Sequence, residues 1–266
     1  MSNTFLWRLT ILNQSTSSYL LGSMHIKDAR VFNGLDIFKT LIESVDAYAA
    51  EAHLDELRAQ SFRAPIRLDP FYSVKAHLSP KKYDRMRNIL KRAFQIDVQN
   101  FQALQPAVIT GMIDESIFSK DLPFSFDETL WRHAQSEGKS LHGIESVDQQ
   151  FQVFHKMTFE QQVKSLHQIS KNVTNYRQSL NKMAQLYQSG EIAILHRVAK
   201  KSLGSIRKLM LYDRNEIMAD RIYELMEMQS TFFTIGAGHL WGAKGVLRLL
   251  KQKGVEVRGM EWPIGS

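Results

Sequence analysis

The sequence predicts an α/β fold with strand–helix–strand units at both ends and a mainly helical middle. Two short apolar runs, at residues 18–21 and 231–235, lead into Gly-x-x-His, and each is followed by helical spacing of apolar residues and a further strand. Between these ends the periodicity is mainly helical. We therefore expect one domain over 1–266, comprising a first βαβ half at 1–70, a helical insertion at 71–230 and a second βαβ half at 231–266.

The first half begins with a hairpin. Residues 5–12 alternate in the manner of a strand, residues 13–15 supply a turn, and residues 18–21 form the second strand. After His25, apolar residues recur at helical spacing over 35–45. A buried strand at 47–50 then ends at Glu51.

The middle of the chain carries helix boundaries that are readable from proline and glycine. Pro80 and Pro106 stand at first-turn positions of helices that we expect to run to residues 94 and 117. Residues 127–135 predict another helix, closed by Gly138, and the strand after it ends at Glu145. The amphipathic stretches 159–188 and 205–228 predict a helical cap over the sheet.

The second half repeats the pattern of the first. A strand at 231–235 precedes the turn Gly236-Ala-Gly-His239, and a helix follows with its apolar residues at 246–250. Gly254 suits the position just past the end of that helix, and residues 255–257 return as a strand.

Composition excludes several classes of site and partner. The chain has 266 residues, a net charge of +7 and no cysteine, so any metal would be bound by His, Asp or Glu. The basic residues are dispersed along predicted helices without interleaved aromatic residues, which argues against nucleic-acid binding. No apolar stretch approaches the roughly 20 residues of a membrane span, so we expect no transmembrane segment.

Compartment and oligomeric state stay open at this stage. The first twelve residues show strand-like alternation and neither a charged leader region nor a small-residue cleavage site. The expectation is a cytoplasmic protein if the chain begins here, and an exported or membrane-associated one if a leader has been removed.

Ionisable residues follow several of the predicted strands. His25, His239, Glu51 and Glu145 all stand at strand carboxyl ends, where open α/β sheets bind their ligands. Neutral imidazoles and a carboxylate suit Zn²⁺, Mn²⁺, Co²⁺ or a similar divalent ion, which would make a bound water nucleophilic. The same residues also suit metal-free chemistry, with a histidine as general base and a glutamate fixing its tautomer.

Simpler interpretations exist for each acidic or basic residue taken alone. Glu51 also suits an exposed cap after a buried strand, and Glu145 a cap for the helix that follows it. Arg214 lies in an amphipathic stretch, where pairing with a neighbouring acidic residue at the surface is ordinary.

A different chemistry is suggested by the glycines of the second motif. Residues 236–242 approximate a dinucleotide fingerprint, and Glu256 lies near the distance expected for a ribose-binding acid. Against this, the chain ends ten residues after Glu256, and His-Leu-Trp would crowd the turn that should face a pyrophosphate.

Both Gly-x-x-His segments resemble one protein family. Residues 19–25 (Tyr-Leu-Leu-Gly-Ser-Met-His) and 236–250 (Gly-Ala-Gly-His-Leu-Trp-Gly-Ala-Lys-Gly-Val-Leu-Arg-Leu-Leu) are similar to the TraB/GumN family. The resemblance spans almost the whole chain and includes Glu51, Asp127, Glu145 and the pair Arg214-Asn215. His53 is a departure, because relatives commonly carry an acidic residue soon after the glutamate.

The resemblance implies an α/β core shared with erythromycin esterase and the haem-binding ChaN proteins. Tiki-type members of the family are metal-dependent peptidases, which implies that His25, His239 and Glu51 are metal or catalytic residues. It also implies that Glu145 and Arg214 support the site or orient the substrate.

The sequence hypothesis is therefore a metal-dependent hydrolase acting on peptides or proteins. His25 and His239 hold the metal, Glu51 is a ligand or general base, and Arg214 stabilises negative charge on the substrate oxygen. The alternative from another class is a protein that holds a peptide or haem in the same cleft without turnover.

Overall fold

The computed structural model describes residues 3–12, 16–61, 73–118 and 122–263. It confirms an α/β fold in which six strands form one mixed sheet. The predicted turn at 13–15 lies outside the described residues. The strands are β1 (Leu6–Ile11), β2 (Ser18–Ser23), β3 (Ala47–Ala52), β4 (Ser140–Glu145), β5 (Thr231–Gly236) and β6 (Val255–Gly259).

In the described residues, two α-helices begin at Pro80 and Pro106, as predicted, and further helices are present. The α-helices are α1 (Leu35–Glu43), α2 (Leu54–Ser61), α3 (Pro80–Phe94), α4 (Pro106–Ile117), α5 (Phe126–Ser136), α6 (Val147–Lys156), α7 (Phe159–Lys171), α8 (Val173–Gln188), α9 (Ile192–Leu203), α10 (Asp213–Met228) and α11 (Val246–Gln252). None of the helices in the described ranges is both long enough and apolar enough to cross a membrane.

The strand order is β4-β3-β5-β2-β1-β6, and β1 alone runs against the others. Pairing is parallel between β2 and β5, β3 and β5, and β3 and β4. The central strand β5, Thr-Phe-Phe-Thr-Ile-Gly, is buried almost throughout, as expected for a parallel strand covered on both faces. The five strands other than β1 therefore end at the same edge of the sheet, which we call the carboxyl edge.

The chain divides into two compact units. The first, residues 1–57, 120–150 and 183–266, contains the whole sheet. Its core includes Phe5, Phe38, Trp131, Phe232 and Phe233, all fully buried. The second unit comprises residues 58–119 and 151–182, and its described residues are mainly helical. The expectation of a single folding domain stays a prediction.

The second unit has its own apolar core. The helix α3 buries Tyr83, Met86 and Leu90, and α4 and α7 contribute Ile109 and Leu166. Each of these helices places its apolar residues three or four positions apart, which is why one face of each is buried. The basic face of α3 is mostly exposed, as the dispersed charge predicts.

Three details differ from the sequence predictions. The stretch at 159–188 is two helices, because α7 ends at Lys171 and Asn172 separates it from α8. Helix α9 was not predicted. The stretch at 205–228 holds α10 only in its second part, preceded by a 3₁₀ turn (Gly204–Ile206) and a π-helical turn (Lys208–Tyr212). The π turn lies directly before Arg214, and such turns occur frequently at functional sites.

Candidate active site

The carboxyl edge brings the predicted site residues into one region. His25 follows β2, Glu51 and Glu145 lie at the ends of β3 and β4, and His239 follows β5. Because these strands are parallel neighbours, their ends converge, as the two Gly-x-x-His segments predicted. Arg214 reaches the same edge from the first turn of α10.

Arg214 joins the two glutamates. Its Nε lies 2.9 Å from Glu145 Oε1, its Nη2 lies 2.5 Å from Glu145 Oε2, and the same Nη2 donates to Glu51 Oε1. The Arg214 side chain is 12% exposed, and both carboxylates are buried more deeply than a surface cap would be. The interpretations of Arg214 as a surface pair and of Glu51 and Glu145 as simple caps are therefore wrong. Helix α6 is instead capped by Ser146 and Gln149, each bonding the other's backbone N–H.

The two glutamates are held in different electrostatic states. Burial alone would raise the pKa of Glu51, but Arg214 and the nearby histidines outweigh it and hold that pKa well below its usual range. The backbone N–H of Gly236 also donates to Glu51 Oε2 at 2.9 Å. Burial raises the pKa of Glu145, and Arg214 only partly opposes this rise. Glu51 is thus the carboxylate that stays ionised most firmly.

His239 is buried, and its tautomer is set by a chain of hydrogen bonds. Asn215 Nδ2 donates to the carbonyl of Lys244 at 2.6 Å, so Asn215 Oδ1 faces His239 Nδ1, also at 2.6 Å. An amide oxygen only accepts, so Nδ1 carries the proton and Nε2 keeps its lone pair. Burial lowers the pKa of His239 to about 4, which keeps the ring neutral at pH 7.

The Nδ1 of His25 faces a carboxylate in an ion-pair contact that does not have the geometry of an aligned hydrogen bond. That atom lies 3.0 Å from Asp127 Oδ2, and Ser23 Oγ donates to Asp127 Oδ1 at 2.5 Å. Asp127 raises the pKa of His25 to about 9. The His25 side chain is 53% exposed, so water weakens this attraction, while the direction of the shift follows from the ion pair. Here too Nε2 is the ring nitrogen left for a further partner.

The histidines and the glutamate at this edge are residue types that bind divalent metal ions. Their ligand atoms, however, do not lie close enough together to hold one ion in the present arrangement. One imidazole has its Nδ1 hydrogen-bonded to Asn215 and the other has its Nδ1 ion-paired with Asp127, and a carboxylate lies nearby. Such partners are usual around histidine ligands. However, no ligand atoms of His25, Glu51 and His239 lie mutually within 4.8 Å of one another, and Glu51 is engaged by Arg214 and Gly236. Binding one ion with all three would require these side chains to approach one another.

A ready three-ligand cluster exists elsewhere in the described residues. Glu43, His133 and Glu137 have ligand atoms all within 4.8 Å, and His133 Nε2 lies 3.1 Å from Glu43 Oε1. They lie near the C-terminal ends of α1 and α5, just before β3 and β4 begin, and so at the opposite edge of the sheet. Any measurement of metal content must separate this cluster from the carboxyl edge.

The structure does not favour the dinucleotide interpretation. Gly236 to Gly242 leads through a 3₁₀ turn, and α11 begins only at Val246, so the glycines do not open directly onto a helix N-terminus. Glu256 lies on β6, which β2 and β1 separate from β5, and its carboxylate pairs with Arg258. The fingerprint requires the glycine turn to begin the crossover helix.

A polar cleft of about 640 Å³ adjoins the site at β4. Its walls include His53, His142 and Glu145, with Asp220 and Arg221 from α10 on the opposite side. Glu145 lines the cleft and is also hydrogen-bonded to Arg214. The cleft therefore adjoins the cluster of Glu145, Arg214 and Glu51.

Two partners of the site histidines had no role in the sequence predictions. Asp127 and Asn215 entered only as parts of a family resemblance, yet they hold His25 and His239. Asp127 lies near the start of α5 and 102 positions from His25, so no local pattern connects them. The one signal for Asn215 in the sequence is its position next to Arg214, a predicted site residue.

Fold and site together define an α/β protein with a buried histidine–carboxylate–arginine cluster at the carboxyl edge of its sheet. Residues 5–259 match the model of the TraB/PrgY/gumN family, and the chain belongs to that family. No solved structure matches the chain significantly.

The curated relatives include two proteins named as metalloproteases. The chain is 22% identical to metalloprotease TIKI2 of Danio rerio over 314 aligned positions, covering 96% of this chain and 60% of the relative. It is 21% identical to a metalloprotease TIKI homolog of Amphimedon queenslandica, covering 96% and 61%. The chain thus spans about 60% of the length of these relatives.

Proposed function

We propose that this protein is a metal-dependent peptidase whose active site is the carboxyl edge of the sheet. The observation that supports it most is the convergence of two histidines, His25 and His239, on the buried pair Glu51–Arg214. The distant relatives that are named as metalloproteases also support this activity. The substrate class, a peptide or protein, is part of the proposal.

In this proposal His25 and His239 hold the ion through Nε2, and Glu51 completes the set or accepts a proton from water. A bound divalent ion would supply Lewis acidity and lower the pKa of a water. The neutral ring of His239 is suited to ligation at pH 7 without losing a proton, whereas His25 must release one, so we expect tighter metal binding as pH rises.

The sequence hypothesis gave Arg214 the role of stabilising negative charge on the substrate oxygen, but here we assign it a different primary role. Its guanidinium is engaged by Glu51 and Glu145, so it first keeps both carboxylates in place. Stabilising negative charge on a substrate carbonyl is a second role within the proposal. The polar cleft beside β4 is the space that we assign to the substrate chain.

The test is cleavage of a fluorogenic peptide library by the purified protein, before and after chelation, with Zn²⁺, Mn²⁺ or Co²⁺ returned. We expect chelation to remove cleavage, one of these ions to restore it, and His239→Gln and Glu51→Gln to abolish it. His133→Gln is the matched control and should retain full activity.

Two results would contradict the proposal. One is cleavage that resists chelation or survives His239→Gln. The other is a haem Soret band that requires His25 and His239 in a protein without metal-dependent cleavage, which would establish the binding alternative.

A further inference from the structure

A second cavity, with a mainly apolar lining, is formed in part by residues 240–243, which follow His239. It has a volume of about 480 Å³ and lies between the sheet and α11. Its apolar lining includes Trp7, Trp241, Leu247 and Val257. This volume falls within the range of about 300–1,000 Å³ that is typical of small-molecule sites.

A glycine faces a tryptophan across the ladder at this cavity, and both residues line it. Trp7 of β1 pairs with Gly259 of β6, and directly paired residues point to the same face of a sheet. Gly259 has no side chain, so a larger residue at this position would place its side chain on the face of the sheet that carries Trp7. The backbone of Gly259 has no positive φ, so a larger residue is compatible with its conformation.

Polar groups around this space lack partners within the described part of the chain. Trp7 is 5% exposed, yet its indole N–H is buried without a hydrogen-bond acceptor. A buried donor without an acceptor destabilises the folded protein. Arg248 and Lys251 line the same cavity, three residues apart on one face of α11, and no described carboxylate pairs with either.

We propose that this cavity binds an amphiphilic carboxylate, a molecule with one anionic head and an alkyl chain of medium length. The chain would contact Trp241, Leu247 and Val257, and the head would lie between Arg248 and Lys251. Charge-assisted hydrogen bonds from these cations favour a carboxylate over a neutral or cationic head. The inference is independent of the proposed peptidase activity and uses none of its residues.

The test is titration with decanoate below its micelle-forming concentration, followed by calorimetry and by the fluorescence of Trp7 and Trp241. We expect saturable binding of one decanoate per chain. Binding should weaken at least tenfold in Arg248→Gln/Lys251→Gln and should be lost in Gly259→Leu, which fills the space beside Trp7. Thermal unfolding checks that the variants fold.

Arg258→Gln is the matched control, because Arg258 lies between Val257 and Gly259 but pairs with Glu256 and does not line the cavity. It should bind decanoate as the wild type does. Equal affinity for decanol and decanoate, equal loss in Arg258→Gln, or no saturable binding would each overturn the proposal. The surface variants Arg248→Gln and Lys251→Gln keep the test decisive if Gly259→Leu does not fold.

Discussion

At the residue scale, the central feature is one guanidinium shared by two buried carboxylates. Arg214 is suited to this because its planar fork donates in several directions at once, which a lysine ammonium on a flexible stem does not reproduce. Removing one partner from such a cluster leaves buried charge uncompensated. The contacts of Arg214 therefore stabilise the fold at the carboxyl edge and also hold Glu51 in position.

We predict that Arg214→Gln lowers the free energy of unfolding by about 3 kcal/mol or more, because Glu51 and Glu145 lose their common counter-charge. Arg221→Gln, in the same helix, should cost less than about 1 kcal/mol, since its pair with Glu224 is exposed. Urea unfolding measures both. Equal losses in the two variants would contradict the cluster as described.

A second residue-scale prediction concerns Asp114 in α4. Tyr176 donates to its Oδ1 at 2.5 Å, and burial raises the Asp114 pKa from 3.8 to about 6. The folded protein therefore binds more protons than the unfolded chain between these pH values. Unfolding free energy should fall as pH rises through that window.

The matched variant is Asp114→Asn, which accepts from Tyr176 and does not ionise. Its stability relative to wild type should increase between pH 4 and pH 6, by up to about 2 kcal/mol at the upper end. Denaturant unfolding at several pH values measures the difference. A difference that does not change with pH would show that Asp114 titrates normally.

At the element scale, the strand-to-turn segments depend on close backbone approach. A Cβ on Gly22 in β2 would lie 2.4 Å from Leu240 Cδ1 and 3.1 Å from the backbone Cα of Ala237. The absence of a side chain at Gly22 thus lets the Gly236–His239 turn pack against β2. The glycine of the first Gly-x-x-His motif thus lets the turn that carries His239 lie close to β2.

Gly22→Ala should therefore lower the free energy of unfolding by about 1–3 kcal/mol, the usual cost of overpacking. Gly111→Ala is the control, because a Cβ there meets nothing within 4 Å and the position is helical. That change should raise stability by up to about 1 kcal/mol. Thermal unfolding distinguishes them, and a neutral Gly22→Ala would contradict the packing argument.

At the scale of the whole molecule, the sequence predicted the strands that place the site and the edge where they meet. Periodicity and proline or glycine signals were sufficient for β5, α3 and α4, because those signals are local. The break at Asn172 and the π turn before α10 were not predicted, since both are small departures within amphipathic stretches.

The partners of the site residues were beyond the sequence for a different reason. Asp127 meets His25, and Arg214 meets Glu51, only because the strand order brings distant segments together. Long-range contacts of this kind depend on topology, which periodicity does not specify. The cavity at Trp7 likewise depends on its pairing with Gly259, at the other end of the chain.

The metal content per chain, measured after dialysis and add-back, shows directly whether the carboxyl edge is a metal centre. Three proteins are compared: wild type, His25→Ala/His239→Ala and His133→Ala. We predict tightly bound divalent metal in wild type and His133→Ala, and its loss from a folded His25→Ala/His239→Ala protein. Metal that is lost in His133→Ala and retained in the double variant would assign it to Glu43, His133 and Glu137 at the opposite edge. That result would contradict the carboxyl edge as the metal centre.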